Sequence, residues 1–252
     1  MNKSVSVKIR KVLPSLILLA VVVVLMGISF LPSVRGTAVA TAARTNSIDP
    51  EAIGALDSCR AYAAANDFST VLDGSIKAKV FGIPYTQTVS GKRVVHGEKF
   101  CEVAQSSSAL VKASFKKQCE NGEYSVARGD YKKKAFVYGT PQKFSRDRYV
   151  ESYGMPPTEL VKYELDNSII SAEKVNDNTF RFVLDVRSAT KYCRNEVRTI
   201  LGDKSYPKYE WVEFTMTVDG GRAVKIISRE KFKIDKMGGM NCTAQYTEVF
   251  EY

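Results

Sequence analysis

The chain predicts an α+β fold: a strongly curved antiparallel sheet, a half-barrel of about ten strands, with helices packed on its concave face. Three observations carry this. Apolar and polar residues alternate over many short runs, as at Phe180, Phe182, Leu184 and Val186, or Val212, Phe214, Met216 and Val218. That is the period-two pattern of strands with one buried face. The breaks between runs are short and rich in Asn, Asp and Gly, which favours antiparallel neighbours. A few segments instead show three-and-four spacing beside capping residues, which marks helices.

The first 40 residues read separately. Lys3, Lys8, Arg10 and Lys11 precede an uncharged run over residues 12–31, and Ala38-Val39-Ala40 follows. A positive start, an apolar middle and a small-x-small exit describe a secretory signal. Residues 1–40 are therefore expected to act as a signal peptide cut after Ala40, or to stay as an N-terminal membrane anchor. A run of about 20 apolar residues is just long enough to span a bilayer. The basic flank puts the rest of the chain on the outer side in either case, secreted or anchored by residues 12–31. Residues 41–48 read as a linker, and residues 49–252 as one extracytoplasmic, β-rich domain large enough for a substantial core.

The leader holds five basic residues (Lys3, Lys8, Arg10, Lys11 and Arg35) and no acidic one, so the net charge falls from +10 to about +5 without it. That is ordinary for a soluble surface and gives no reason to expect nucleic acid. Five cysteines follow, Cys59, Cys101, Cys119, Cys193 and Cys242. Export permits disulfides, but the odd count leaves at least one thiol over within a single chain, and no C-x-x-C spacing supports a redox or zinc motif.

Asp49, Pro50 and Glu51 open the first helix as cap, first-turn proline and first-turn acid, and it should run to about Asn66. Ile76, Ala78 and Val80 alternate with lysines, then Ile83, Tyr85 and Val89 take the other phase. The break at Gly82 reads as a bulge in one bent strand. Ser90-Gly91 reads as a turn into a second strand over 93–104, and residues 110–119 as a third. Asn121-Gly122 is a hairpin signal, because both residues tolerate the positive φ of a type I′ turn. It sets Cys119 opposite Tyr124 and Lys117 opposite Val126. Strands over 124–129 and 134–139 complete a meander.

Residues 145–153 predict a short helix stopped at Gly154, and Pro156-Pro157-Thr158 predicts another carrying Leu160, Val161 and Leu165. Strands over 169–174 and 180–186 follow, then a helix over 188–201. Three strands close the domain, turning at Asp219-Gly220 and Gly238-Gly239.

This order resembles the half-barrel lipoprotein-carrier-like (LolA/RseB-like) superfamily: a leader, an N-terminal helix, a long meander, a helical insertion, two strands, a helix and three last strands. The resemblance covers residues 49–252 and is architectural, with no diagnostic motif. It implies a non-enzymatic cell-envelope protein that holds a lipid-like or amphiphilic ligand between sheet and helices. The alternative is a structural or protein-interaction module of the envelope with no small-molecule ligand. The partner is then an apolar or amphiphilic ligand or an envelope protein, with the membrane engaged through the N-terminal segment if that is uncleaved. Members of this group are often anchored by a lipidated Cys, and none stands near the leader's exit here.

No catalytic residue, cofactor or metal is predicted. His96 is the only histidine, and a triad or metal site cannot be assembled around it from spacing alone. Phe100, Phe115, Phe182, Phe214 and Phe232 are the candidate ligand-binding residues, expected to line an apolar cavity of about 300 Å³ or more. Tyr131-Lys132-Lys133-Lys134, with Lys116, Lys117 and Arg128 across the meander, is a candidate basic patch for an anionic surface.

Overall fold

A computed structural model of the chain describes residues 47–80, 83–108, 112–161, 165, 168–187, 190, 207–234 and 240–252. The expected leader, its apolar run and the helix expected over 188–201 lie outside them, apart from Thr190. Among the described residues no helix is long and apolar enough to cross a membrane.

Helix α1 (Pro50–Ala65) begins at Asp49, whose carboxylate accepts from Glu51 N at 2.9 Å. Strands β1 (Phe68–Val80), β2 (Ile83–His96), β3 (Lys99–Ser107), β4 (Lys112–Glu120), β5 (Glu123–Lys132) and β6 (Ala135–Tyr138) follow as an antiparallel meander. A short β7 (Gln142–Phe144) pairs with β5 beside β6, and α2 (Arg146–Tyr153) comes next. Strands β8 (Ile169–Asn176), β9 (Thr179–Leu184), β10 (Lys208–Asp219), β11 (Arg222–Ile234) and β12 (Met240–Glu251) form a second antiparallel run.

The two runs join where β12 pairs with β1, from Ser69↔Glu251 to Ala78↔Cys242. The result is one open sheet of twelve strands, ordered β6-β5-β4-β3-β2-β1-β12-β11-β10-β9-β8 with β7 off the path. The antiparallel α+β class is as expected. The strand number is higher than about ten, because β7 and the division of β1 from β2 were not read from the pattern.

That division corrects one expectation. Val80 faces Ile83 as antiparallel partners, so β1 and β2 are two strands of a hairpin rather than one bulged strand. Ser90-Gly91, expected as a turn, lies inside β2, and the true turn is Gly97-Glu98 between β2 and β3. The glycine at 91 serves packing: a Cβ there would lie 3.0 Å from Val103 O and 3.3 Å from Leu72 Cδ2. Asn121-Gly122 behaves as read, with φ of 51° and 77° and Cys119 opposite Tyr124.

Ser145 caps α2, and Gly154, at φ 83°, ends it. Residues 154–161 are turns and bends rather than the helix expected from Pro156. Only one tight turn is closed there, Glu159 N to Pro156 O at 2.9 Å. Leu160 and Val161 are nevertheless buried with the core.

One face of the sheet is apolar and covered. α1 packs against β8, β9 and β11 there. It buries Ala52, Leu56, Cys59 and Ala63 in the same core cluster as Phe182, Phe214 and Phe232. We call this the inner face. The other face carries charged ladders, of which Glu173, Arg181, Glu213 and Arg229 form one across β8 to β11.

Candidate functional site

The five candidate phenylalanines all lie on the inner face, in two groups. Phe182 and Phe214 stack at 4.7 Å on neighbouring β9 and β10, and Phe232 on β11 packs against Tyr209 at 5.7 Å. Phe100 on β3 lies 5.9 Å from Tyr124 and 6.1 Å from Tyr149 of α2, and Phe115 on β4 is buried nearby in the same cluster. All five are at most 4% exposed.

Four charged residues are also buried on this mostly apolar face. Arg93 on β2, Glu102 on β3, Lys117 on β4 and Glu248 on β12 are each at most 7% exposed. Arg93 Nη2 lies 2.7 Å from Glu248 Oε1, and the Thr70 hydroxyl donates to that same oxygen. The Arg93 guanidinium also sits over the rings of Phe68 and Phe250, at 5.2 and 5.5 Å. Glu102 and Lys117 stand directly opposite each other across β3 and β4, and Lys117 Nζ lies 5.2 Å from the Tyr153 ring of α2. Burying charges inside an apolar face costs several kcal/mol per ion (about) unless each finds a close partner.

Arg93 reaches out of the sheet as well. Its Nη1 donates to Pro157 O at 3.0 Å and to Glu159 O at 2.8 Å. One guanidinium therefore ties β2 to the irregular segment 154–161 that lies over it. Beneath the tie is a hollow of about 10 Å³, bordered by Arg93, Glu102, Lys117, Tyr149, Met155, Pro156 and Glu248 among others. That is room for about one water, far below the roughly 300 Å³ that a bound organic ligand occupies.

Sequence reasoning missed Arg93, Glu102 and Glu248 and assigned Lys117 to the basic patch, although the signal was present in all four. Each stands at an apolar parity: Arg93 between Gly91 and Val95, Glu102 between Phe100 and Ala104, Lys117 between Phe115 and Cys119, Glu248 between Tyr246 and Phe250. A charge on the buried phase of a strand is the observation that would have found them.

The expected basic patch is divided by the same parity. Lys132, Lys133 and Lys134 are exposed at the β5–β6 turn, whereas Lys117 is buried on the inner face and takes no part. His96 Nδ1 lies 2.9 Å from Asp67 Oδ2, with both side chains largely exposed. Hydrogen bonds from His96 and from Gly97 N hold the Asp67 carboxyl below the usual carboxylate range. Cys59, Cys101 and Cys119 are free thiols, Cys242 is buried, and Cys193 lies outside the described residues. Burial pushes Cys59 up to about 11 and Cys242 to about 12, so both stay protonated at neutral pH. Among the described residues no group of His, Cys, Asp and Glu is arranged to hold a metal ion.

No family model matches the chain, and no curated protein does either. Solved structures do. A domain from Vibrio parahaemolyticus, described as an outer membrane lipoprotein-sorting protein, is 9% identical over 73% of this chain and 85% of its own, with a TM-score of 0.31. A LolA superfamily protein of Nitrosomonas europaea is 8% identical over 79% of this chain and 92% of its own, at 0.28. A DUF1329 family protein of Desulfovibrio piger is 7% identical over 79% and 91%, at 0.33. These are likenesses of fold alone.

Proposed function

We propose that this chain is an exported, non-enzymatic binding protein of the cell envelope. It takes an amphiphilic, lipid-like ligand between the inner face of its sheet and segment 154–161. In this reading the sheet curves as a half-barrel around α1, α2 and that segment, and residues 1–40 deliver or tether the domain outside the cytoplasm.

The observation that carries the reading is the tie from Arg93 to the carbonyls of Pro157 and Glu159. The segment it holds has almost no internal hydrogen bonding of its own, so a few contacts decide whether it lies down or lifts. Lifting it uncovers Arg93, Glu102 and Lys117 next to Phe100 and Phe115. An amphiphile needs that combination: apolar surface for its chain, at about 25 cal/mol per Å² buried, and ionic groups for its head.

The filled inner face favours a second reading, a protein-interaction module with no small-molecule ligand. One experiment separates the two. Purified protein is titrated with a fluorescent fatty-acid probe, and its organic extract is analysed by mass spectrometry. The carrier reading expects saturable probe binding that changes several-fold in Arg93→Leu. The double variant Arg93→Leu with Glu248→Leu removes both charges of the pair and so avoids leaving one buried alone. A folded double variant that binds as wild type does, or wild type that takes up no probe, ends the carrier reading.

A further inference from the structure

A larger hollow, of about 530 Å³, lies on the opposite face of the sheet. Thr88 and Ser90 on β2 line it, alternating with buried Gln87 and Val89, and so do Gln105 and Ser107 on β3. Its other wall comes from the sheet edge. The β5–β6 hairpin folds back so that Tyr131, Phe136 and Tyr138 stand over the outer face of β4. Gly129 makes this possible, because a Cβ there would lie 3.1 Å from Tyr138 Cε1 and 3.2 Å from Ser114 Cβ. Ser114 Oγ donates to Ala104 O at 2.9 Å, so the 2.7 Å contact with Tyr138 Oη is donated by the tyrosine. That pair fixes the wall.

The chemistry of the two walls differs. One is hydroxyl and amide, and among the described residues no protein group bonds the side chains of Ser90, Gln105 or Ser107. The other is aromatic, with Tyr131 40% exposed and edge-on to Phe136 at 5.2 Å. Two cations stand between them: Lys112, whose Nζ lies 3.9 Å from the Tyr131 ring centre, and Lys134 of the turn. Lys133 and Lys134 take positive φ, 49° and 68°, at the turn.

We propose that this groove binds a segment of an anionic oligosaccharide. Sugar rings present an apolar C–H face that stacks on Tyr131 and Phe136, and hydroxyls that pair with Ser90, Gln105 and Ser107. Acid groups on the sugar meet Lys112 and Lys134. A lipid tail would not be met by a wall of hydroxyls and amides. Single-stranded nucleic acid calls for a basic track following its backbone, and the two lysines that line the groove are not such a track. The volume is within the range of small-ligand sites.

The purified protein is titrated calorimetrically with oligogalacturonate. Neutral malto-oligosaccharide, inorganic polyphosphate and oligothymidylate serve as comparison probes. Oligogalacturonate is expected to bind with a Kd of about 1 mM or tighter. The neutral chain should bind about tenfold more weakly or not at all. Tyr131→Ala and Lys112→Gln should each weaken binding about tenfold at an unchanged circular dichroism spectrum. Lys134→Asn, which keeps a residue tolerant of positive φ, should also weaken it. The double variant at Arg93 and Glu248 should bind the oligosaccharide as wild type does, since the groove does not depend on the inner face. Absence of oligogalacturonate binding overturns the proposal. So does indifference to Tyr131→Ala, or polyphosphate or oligothymidylate binding as tightly as the sugar acid.

Discussion

A Cβ built on Gly74 would lie 2.4 Å from Tyr246 Cδ1 and 2.7 Å from both Gln245 O and Tyr246 Cα. Two of those atoms are backbone of the paired strand and cannot swing aside. Gly74→Ala should therefore destabilise by about 3 kcal/mol or more, the upper range of overpacking. Gly54, within α1, meets nothing within 4 Å. Gly54→Ala should stabilise by about 1 kcal/mol, the helix-propensity difference. Urea melts of the two variants check both signs. The sequence alone does not tell these glycines apart, because the distinction lies in what the neighbouring strand brings within reach. Gly91 misled for the same reason: next to a serine it looks like a turn, while its role is to let Leu72 and Val103 come close. Asn121-Gly122 was legible because its requirement, two positive φ values, is local.

Asp49 ties two elements together. Its Oδ1 caps α1 through Glu51 N, and its Oδ2 accepts from Lys174 N of β8 at 3.2 Å. Lys174 Nζ returns to Glu51 at 2.6 Å. Residues 47–49 also add a parallel bridge at Ile48↔Ala172, so the β8 edge does not face solvent bare there. Asp49→Ala should cost about 1–2 kcal/mol, the upper part of the capping range, because two backbone donors lose their acceptor. Asp49→Asn should recover only about half of it, because its single amide oxygen accepts from one of the two donors and its NH2 cannot accept from the other, as measured by the urea midpoint. The cap was readable in advance, and so was α2 between Ser145 and Gly154. The segment after α2 was not. Pro156-Pro157-Thr158 looks like a helix start, but residues 154–161 take their path from Arg93, 64 and 66 residues away from the carbonyls it binds. Likewise, the inner-face charges needed only the strand parity, whereas the aromatic wall over β4 needed the fold-back of β6, which no local pattern announces.

The middle of the twelve-stranded sheet is the seam between β1 and β12, flanked by β2 and β11. Its side chains include Ile76, Tyr246 and Phe250, all buried, while β6 and β8 stand at the ends of the order. Amide hydrogen exchange should be slowest in β1, β2, β11 and β12 and fastest in β6 and β7, which have few neighbours. A reversed ranking would mean that stability is concentrated in the hairpins instead. The antiparallel class was predictable from loop length. That the first and last strands would be the pair at the centre was not, because no local feature of either names the other. That pairing has a kinetic consequence. Thr70 and Glu248, which meet across it, are 178 residues apart in the chain. Until β12 arrives, β1 and β11 each present a raw edge. Contacts of such long separation slow folding, so a chain of this topology keeps those two raw edges unpaired until late in folding.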